Sequence, residues 1–148
     1  MSSDPPPEVP KPAIVIVPGA FHTAAHFQPL TTALQRLSYD TTTITLPSIG
    51  AKAGTATLED DIQTIRSTLE RLAEDEREIL LMLHAYGGVP GCQAVRGLEK
   101  SQQKEEEKKG GIAQILFMGG FVPESNQSLV EALGGGMPSW AKAEVSLL

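Results

Sequence analysis

Four short apolar runs alternate with amphipathic stretches along the chain, and they predict its secondary structure. The run AIVIV at residues 13–17 is apolar at successive positions, which is typical of a strand covered on both faces in a parallel sheet. Strand-length runs recur at residues 42–46, 79–83 and 112–117. Gly or Pro follows each run closely and predicts where the strand ends.

The segments between these runs carry the spacing of amphipathic helices. From about Thr23 to Leu37, and again from Leu58 to Leu72, apolar residues recur every three or four positions. Thr57, with Asp60 three residues later, predicts a capping box at the start of the second helix. The two predicted stripes consist of Phe27, Leu30, Leu34 and Leu37, and of Leu58, Ile62, Ile65, Leu69 and Leu72.

The rest of the pattern completes a strand–helix alternation. Residues 87–98 predict a third helix, and the charged stretch at 101–111 predicts a solvated loop or a helix extension. The alternation predicts an α/β fold, with a parallel sheet flanked by helices. Ligands bind such sheets beyond the carboxyl ends of the strands. The loops expected around one site are residues 19–23, 48–50, 84–88 and 119–122.

Length and composition fit a single domain, since 148 residues with 41% hydrophobic content can bury a core. Residues 1–12 hold five prolines and predict a disordered Pro-rich arm. The net charge of -6, with scattered Lys and Arg, argues against nucleic acid as a partner. Cys92 is the single cysteine, and neither a signal peptide nor a membrane span is evident. These features predict a cytoplasmic protein without a membrane partner.

The third apolar run ends abruptly, in LMLHAYGG at residues 81–88. The strand stops at Ala85, which lies between His84 and Tyr86 and is followed by two glycines. A strand that turns sharply into a helix through such a sequence resembles the nucleophile elbow of the α/β-hydrolase fold. The glycines of that elbow are needed for steric reasons, and its central residue is the nucleophile, usually Ser. Here the central position holds Ala85.

A second motif strengthens this resemblance. VPGAFH at residues 17–22, followed by FQPL at residues 27–30, is similar to the oxyanion loop after the third strand of α/β-hydrolases. The similarity is greatest to plant methylesterases and hydroxynitrile lyases and to fungal hydrolase-like proteins, and it covers roughly residues 13–122. It implies that the backbone N–H groups of Ala20 and Tyr86 form the oxyanion hole.

Ala85 departs from the family pattern at the nucleophile position. A methyl group cannot attack a carbonyl carbon, so a chain with Ala85 cannot use the covalent mechanism. Two explanations stay open: a Ser-to-Ala replacement introduced to trap substrate, and a natural pseudoenzyme. The replacement is favoured, because the surrounding features of the elbow and the oxyanion loop are retained.

The acid and the base of a catalytic triad are also missing. The fold orders its triad as nucleophile, acid and then His, whereas the histidines here are His22, His26 and His84. The resemblance implies that the four strands correspond to strands 3 to 6 of an eight-stranded sheet, in the order 4-3-5-6. We therefore expect a truncated hydrolase, with the N-terminal part of the core at residues 13–121 and the start of a lid at residues 122–148.

A truncation of this kind predicts a partner. The strand at 112–117 would form a bare sheet edge, and apolar surface beside it would be uncovered. We expect that edge to be covered by a second chain or a C-terminal fragment that supplies the acid and the His, or by a second copy in a homo-oligomer.

Further residues are candidates for the substrate pocket, although packing roles would also explain them. The pocket candidates are Phe21, His22, His84 and Phe121. Trp140 is a candidate for an apolar lid, His26 is expected on a helix surface, and Cys92 is expected to be a buried small hydrophobe. The histidines lack metal-ligand spacing, so neither a metal nor another cofactor is predicted.

The resemblance implies a serine hydrolase that acts on an ester, a lactone or a related small apolar carbonyl compound. The chain as written is expected to be inactive. The alternative is a non-catalytic protein that binds small molecules or partners through the same pocket. Another doubly wound fold, such as a nucleotide binder, is disfavoured because no G-x-G-x-x-G follows the first strand and no Walker A sequence occurs.

Overall fold

Four parallel strands form one sheet in the computed structural model, which describes residues 10–50, 55–105, 108–124, 127–136 and 139. The strands are β1 (Ala13–Val17), β2 (Thr41–Thr43), β3 (Glu78–His84) and β4 (Gly111–Met118). Their order across the sheet is β2-β1-β3-β4, and every neighbouring pair is parallel. This arrangement confirms the predicted α/β fold class and the predicted order 4-3-5-6.

Helices connect the strands and cover the sheet. Within the described part of the chain they are α1 (Gln28–Arg36), α2 (Leu58–Glu74), α3 (Gly88–Ala94), α4 (Lys100–Glu105) and α5 (Leu129–Ala132). Single 3-10 turns, Ala24–Phe27 and Ala85–Gly87, precede α1 and α3. At the start of α2 the predicted capping box is present, because the hydroxyl of Thr57 accepts from the N–H of Asp60 while the Asp60 carboxylate accepts from the N–H of Thr57.

The core consists of two apolar clusters, one on each face of the sheet. All five residues of β1 are buried, as expected for a central strand of a parallel sheet. The cluster under α2 and α3 includes Val15, Val17, Ile65, Leu69, Leu81 and Leu83. The cluster under α1 includes Ile14, Ile16 and Met82, with Phe27, Leu30 and Leu34 packed against them.

Two predicted element boundaries are wrong. β2 ends at Thr43 rather than at residue 46, although the N–H of Ile44 still donates to the carbonyl of Ile16 at 2.9 Å. The chain then leaves the sheet towards Pro47, which has no N–H to donate. α3 ends at Ala94 rather than at residue 98, because the chain turns through Gly97, whose φ is 79°.

Two residues of the predicted apolar stripes are exposed instead of buried. Leu37 is 61% exposed because α1 ends at Arg36 and Leu37 caps its C-terminus. Leu58 is 40% exposed because it is the first residue of α2, in which burial begins at Asp61.

Some predicted segments lie wholly or partly outside the described residues. Of the Pro-rich arm, only residues 10–12 are described, and they are in neither helix nor strand. In the charged stretch at 101–111, residues 101–105 belong to α4, a separate helix beyond the turn at Gly97, and so do not extend α3. In the predicted lid at 122–148 the structure describes α5, whereas Trp140 lies outside the described residues. The assignment of that segment to a lid stays a prediction.

Candidate active site

Ala85 occupies the turn between β3 and α3 in a strained backbone conformation. Its φ is 47°, in the left-handed region, which costs a non-glycine residue about 1–2 kcal/mol. β3 ends at His84, and a single 3-10 turn leads from Ala85 into α3. The predicted sharp turn from strand to helix is therefore present. Backbone strain of this kind is concentrated at functional sites.

Glycines allow other segments to approach this turn closely. A Cβ atom added to Gly19 would lie only 2.7 Å from the Cβ of Ala85. A Cβ atom on Gly88 would overlap the carbonyl oxygen of Phe121, whose N–H donates to the carbonyl of Ala85 at 3.0 Å. Only glycine fits at such close approaches. The loop after β1 and the segment after β4 thus both lie against the turn.

A cavity of about 380 Å³ opens beside the turn, beyond the carboxyl ends of β1, β2 and β3. Its lining residues are Ala20, Phe21, Ser48, Ile49, Gly50 and Tyr86. Ala20 and Tyr86, the two residues predicted to supply the oxyanion donors, therefore both line one cavity, and Tyr86 directly follows Ala85 at the predicted nucleophile position. Larger cavities of about 580 and 510 Å³ lie around α2 and along β4, and neither includes a residue of this turn.

His22 and His84 lie against the loop after β1 rather than among the residues that line the cavity. The N–H of Gly19 donates to Nδ1 of His84 at 3.1 Å, and Nδ1 of His22 donates to the carbonyl of Ala20 at 2.8 Å. The two imidazole rings meet edge to face, with centroids 5.1 Å apart. Burial, and then the charge of His22, lower the pKa of His84 below its ordinary value. Contact of either histidine with substrate stays a prediction.

Asp61 is a polar residue of this region that the sequence analysis missed. It is fully buried in the first turn of α2. Its carboxylate accepts hydrogen bonds from the N–H of Ser48 at 2.9 Å, from the hydroxyl of Ser48 at 2.6 Å and from the phenol of Tyr86 at 3.0 Å. A signal was available in the sequence, because Asp61 lies four residues before Ile65 and so shares the buried stripe of α2.

The predicted aromatic residues differ in their relation to the cavity. Phe21 lines it, is 78% exposed, and has a left-handed φ of 66°. Phe121 is half-buried and contacts the turn through its backbone, but it is not among the lining residues. Tyr86 lines the cavity, and the pKa of its phenol is raised to about 12, first by burial and then by the charge of Asp61.

Cys92 and His26 are placed as packing and surface residues. Cys92 is half-buried against the core, and burial raises the pKa of its thiol. His26 is exposed, and its Nδ1 accepts from the N–H of Thr23 at 3.0 Å. Within the described residues, no group of three or more His, Cys, Asp or Glu side chains is arranged to hold a metal ion. In the same part of the chain, no helix combines the length and apolarity needed to span a membrane.

The chain is similar to known α/β-hydrolases, although no family model matches it. It is 28% identical to the alpha/beta hydrolase nvfD of Aspergillus novofumigatus, in a match that covers 90% of this chain and 52% of that protein. Tomato methylketone synthase I in complex with 2-tridecanone has a similar structure, with a TM-score of 0.64 and 18% identity over 85% of this chain and 46% of that one. A polyneuridine aldehyde esterase mutant aligns with a TM-score of 0.64 and 21% identity over 86% and 49% of the two chains.

The chain spans about half the length of the curated relatives it matches, with 52%, 49% and 50% of three of them covered. The structural similarities extend over most of this chain and include its parallel sheet. The resemblance that the elbow and the oxyanion loop indicate is thereby confirmed. The chain has the α/β-hydrolase fold and is related to proteins of the α/β-hydrolase superfamily.

Proposed function

We propose that this chain carries the nucleophile elbow and the oxyanion loop of a protein that binds esters, lactones or related carbonyl compounds. The observation that carries the proposal is the left-handed turn at Ala85, beside a cavity lined by Ala20 and Tyr86. A tight turn of this kind lifts one side chain above the end of the sheet, where substrate approaches from the loops. With a methyl group in that place, the chain binds substrate but cannot form an acyl intermediate.

A serine at position 85 would supply the missing chemistry. Its oxygen would attack the carbonyl carbon while its proton passes to a histidine that lies outside this chain. The carbonyl oxygen would become an oxyanion, stabilised by the N–H groups of Ala20 and Tyr86. Collapse of the tetrahedral intermediate would expel the alcohol, which takes the proton back from the histidine, and water would then release the acid.

The missing acid and histidine imply a partner that supplies them. Within the described residues β4 pairs with β3 on one side, and on its other side Ile112 forms a bridge to Glu99. The outer edge beyond Ile112 is available for a further strand. A second chain or a C-terminal fragment would complete the triad, whereas a second copy of this chain would cover the edge without adding a base. The relatives named hydrolase and esterase support the catalytic proposal for the assembled protein.

A binding protein without catalysis is the alternative function. It is favoured by Ala85 itself and by the position of all three histidines at or before His84. Ala85 has two explanations, an introduced Ser-to-Ala replacement or a natural pseudoenzyme. They predict different effects of a serine at position 85. In the first case, catalysis would return once a partner also supplies the acid and the histidine, whereas the second case would leave only a pocket that binds ligand.

An acylation assay with matched thiols tests the geometry at the turn. Ala85→Cys puts a thiol beside the cavity, and Ala113→Cys puts one on an exposed position of β4, far from the turn. With p-nitrophenyl acetate, the thiolate attacks the carbonyl carbon, p-nitrophenolate leaves, and a thioester forms. Converging amides should make acetylation at position 85 at least about tenfold faster, because one oxyanion donor contributes about 100-fold to 1000-fold.

Mass spectrometry of the digested protein measures both rates, and Cys92 gives the background because burial raises the pKa of its thiol. Equal acetylation at positions 85 and 113 would contradict the proposed oxyanion geometry. The same reagent with Ala85→Ser, in the presence of imidazole as an external base, separates the two functions. An acetylated serine supports the catalytic proposal, whereas its absence alongside fast acetylation of Ala85→Cys favours the binding protein.

A further inference from the structure

The buried carboxylate of Asp61 controls the polar groups of the cavity without lining it. The side chain is fully buried, and both its oxygens accept hydrogen bonds. Oδ1 accepts from the N–H of Ser48, while Oδ2 accepts from the hydroxyl of Ser48 and the phenol of Tyr86. Among the described residues that line this cavity, only Ser48 and Tyr86 have a side-chain hydroxyl.

These contacts determine which way both hydroxyl protons point. Each hydroxyl has one proton and can otherwise only accept, whereas a carboxylate accepts and never donates. A buried carboxylate that loses a donor is costly, so rotation of either hydroxyl towards the cavity is opposed. Both protons are therefore committed to Asp61. A ligand that reaches the hydroxyl oxygen of Ser48 or Tyr86 therefore meets only lone pairs.

The other described residues of the lining add no polar side chain. Phe21, Ile49 and Ala20 contribute apolar side chains, and Gly50 contributes none. A ligand oxygen without a proton would face acceptor oxygens at this wall and leave them unpaired, which lowers affinity. A ligand O–H or N–H would instead donate to Ser48 or Tyr86. The part of the wall formed by Ser48 and Tyr86 thus discriminates between ligands by hydrogen-bond polarity.

We infer that this cavity selects carbonyl compounds that carry a hydroxyl or N–H donor near the carbonyl group. Asp61 is the positioning residue for this selection, because it orients Ser48 and Tyr86 and does not touch the ligand. The inference rests on the proposed function, since it places the ligand carbonyl at the amides of Ala20 and Tyr86.

The chain as written is suited to the test, because Ala85 allows binding without turnover. The probes are methyl hexanoate, methyl 2-hydroxyhexanoate, methyl 3-hydroxyhexanoate and methyl 3-methoxyhexanoate. The methoxy ester keeps the oxygen of the 3-hydroxy ester but has no proton to donate. Chemical-shift titration of labelled protein gives each dissociation constant. At least one hydroxy ester should bind about threefold to tenfold more tightly than methyl hexanoate, and the methoxy ester should gain nothing.

Variants distinguish positioning from general support of the fold. Asp61→Asn keeps the shape of the side chain but frees the hydroxyls to donate into the cavity. The ratio of the dissociation constants of the methoxy and hydroxy esters should therefore fall towards one. Tyr86→Phe and Ser48→Ala should each reduce that ratio, whereas Tyr39→Phe, at the other tyrosine, should leave it unchanged. If Asp61 served only to stabilise the fold, Asp61→Asn would weaken all four esters together and preserve the ratio, which would overturn the positioning role.

The outcomes also separate this inference from the proposal on which it rests. Equal affinities for all four esters, with shifts at Ala20 and Tyr86, would overturn the selection but leave the carbonyl-binding function intact. Tighter binding of the methoxy ester than of both hydroxy esters would likewise overturn the selection and leave the carbonyl-binding function intact. Failure of every ester to bind would overturn both.

Discussion

The phenol of Tyr86 donates a hydrogen bond to Oδ2 of Asp61 at 3.0 Å, and this contact joins the turn after β3 to the first turn of α2. Burial, followed by the charge of Asp61, raises the pKa of Tyr86 to about 12. We expect ultraviolet titration of the tyrosines to show a component near pH 12 that is absent from Tyr86→Phe. Asp61→Asn should move that component to lower pH while leaving it above the ordinary value, because burial is the larger cause. An unchanged titration in Asp61→Asn would contradict the contact.

The raised pKa of Tyr86 also predicts how stability depends on pH. The folded state holds the phenolic proton more tightly than the unfolded state, in which the pKa is 10.0. The stabilisation is therefore complete below pH 10 and is lost as the pH rises through about 12. The free energy of unfolding should fall over this range more steeply for the wild-type chain than for Tyr86→Phe. If the free energy of unfolding fell equally with pH in both proteins, Tyr86 would not contribute to the pH dependence of stability.

Ala85→Gly should stabilise the chain, although glycine is usually destabilising. The φ of 47° costs alanine about 1–2 kcal/mol, while glycine adds about 0.4–1 kcal/mol of unfolded-state entropy. We expect a net gain of about 0.5–1 kcal/mol in denaturant unfolding. Ala33→Gly, at an exposed position of α1, should instead lose about 1 kcal/mol. A loss at both positions would mean that the turn carries no strain.

The central part of the fold could be predicted because its signals are local and strong. β1 and β3 are apolar at nearly every position, and a strand with both faces buried needs that pattern. The capping box of α2 depends on residues three apart, Thr57 and Asp60. β2 ends earlier than TTITL predicts, because that run has the composition of a longer strand whereas β2 forms hydrogen bonds with a single neighbouring strand, β1.

The candidate site was predictable only where one short motif describes it. The turn at Ala85 and the loop at residues 19–22 each fall within a few consecutive residues, so their glycines were informative. The hydrogen bonds of Asp61 join residues 13 and 25 positions away, at Ser48 and Tyr86. No local pattern connects such partners, and an acid in the first turn of a helix is ordinarily explained by the helix dipole.

Gly88 should not tolerate a side chain, because a Cβ atom there would overlap the backbone of Phe121. Backbone atoms cannot rotate away, so Gly88→Ala should cost about 1–3 kcal/mol of unfolding free energy, as overpacking usually does. Gly136→Ala is the matched control, since nothing lies within 4 Å of its added Cβ. That variant should remain within about 0.5 kcal/mol of wild type. Equal stability of the two variants would show that the segment after β4 does not pack on the turn.

His84 should titrate below its ordinary pKa, because burial and the charge of His22 both disfavour its protonated form. Protonation would also turn Nδ1 into a donor that faces the N–H of Gly19. Since the folded pKa is depressed, the stabilisation is complete above the ordinary value of 6.5 and is lost as the pH falls through the folded pKa. NMR of the imidazole rings measures the pKa directly. His84→Asn, whose oxygen can still accept from Gly19, should flatten the fall in stability at acid pH. An unchanged fall would contradict the contribution of His84.

The uncovered edge of β4 should make the isolated chain self-associate. Leu116 and Phe117 are 44% and 40% exposed, and as consecutive strand residues they lie on opposite faces of the sheet. Among the described residues, β4 pairs with β3 and otherwise only through the bridge between Ile112 and Glu99, so Leu116 and Phe117 adjoin unpaired backbone groups. Light scattering should show a mass that rises with concentration. Leu116→Lys and Phe117→Lys should each shift the chain towards monomer, because a charge at a sheet edge opposes pairing. Leu37→Lys, at the 61% exposed end of α1, should change nothing. If the unsubstituted chain stayed monomeric at all concentrations, the prediction that the edge of β4 binds a partner would be contradicted.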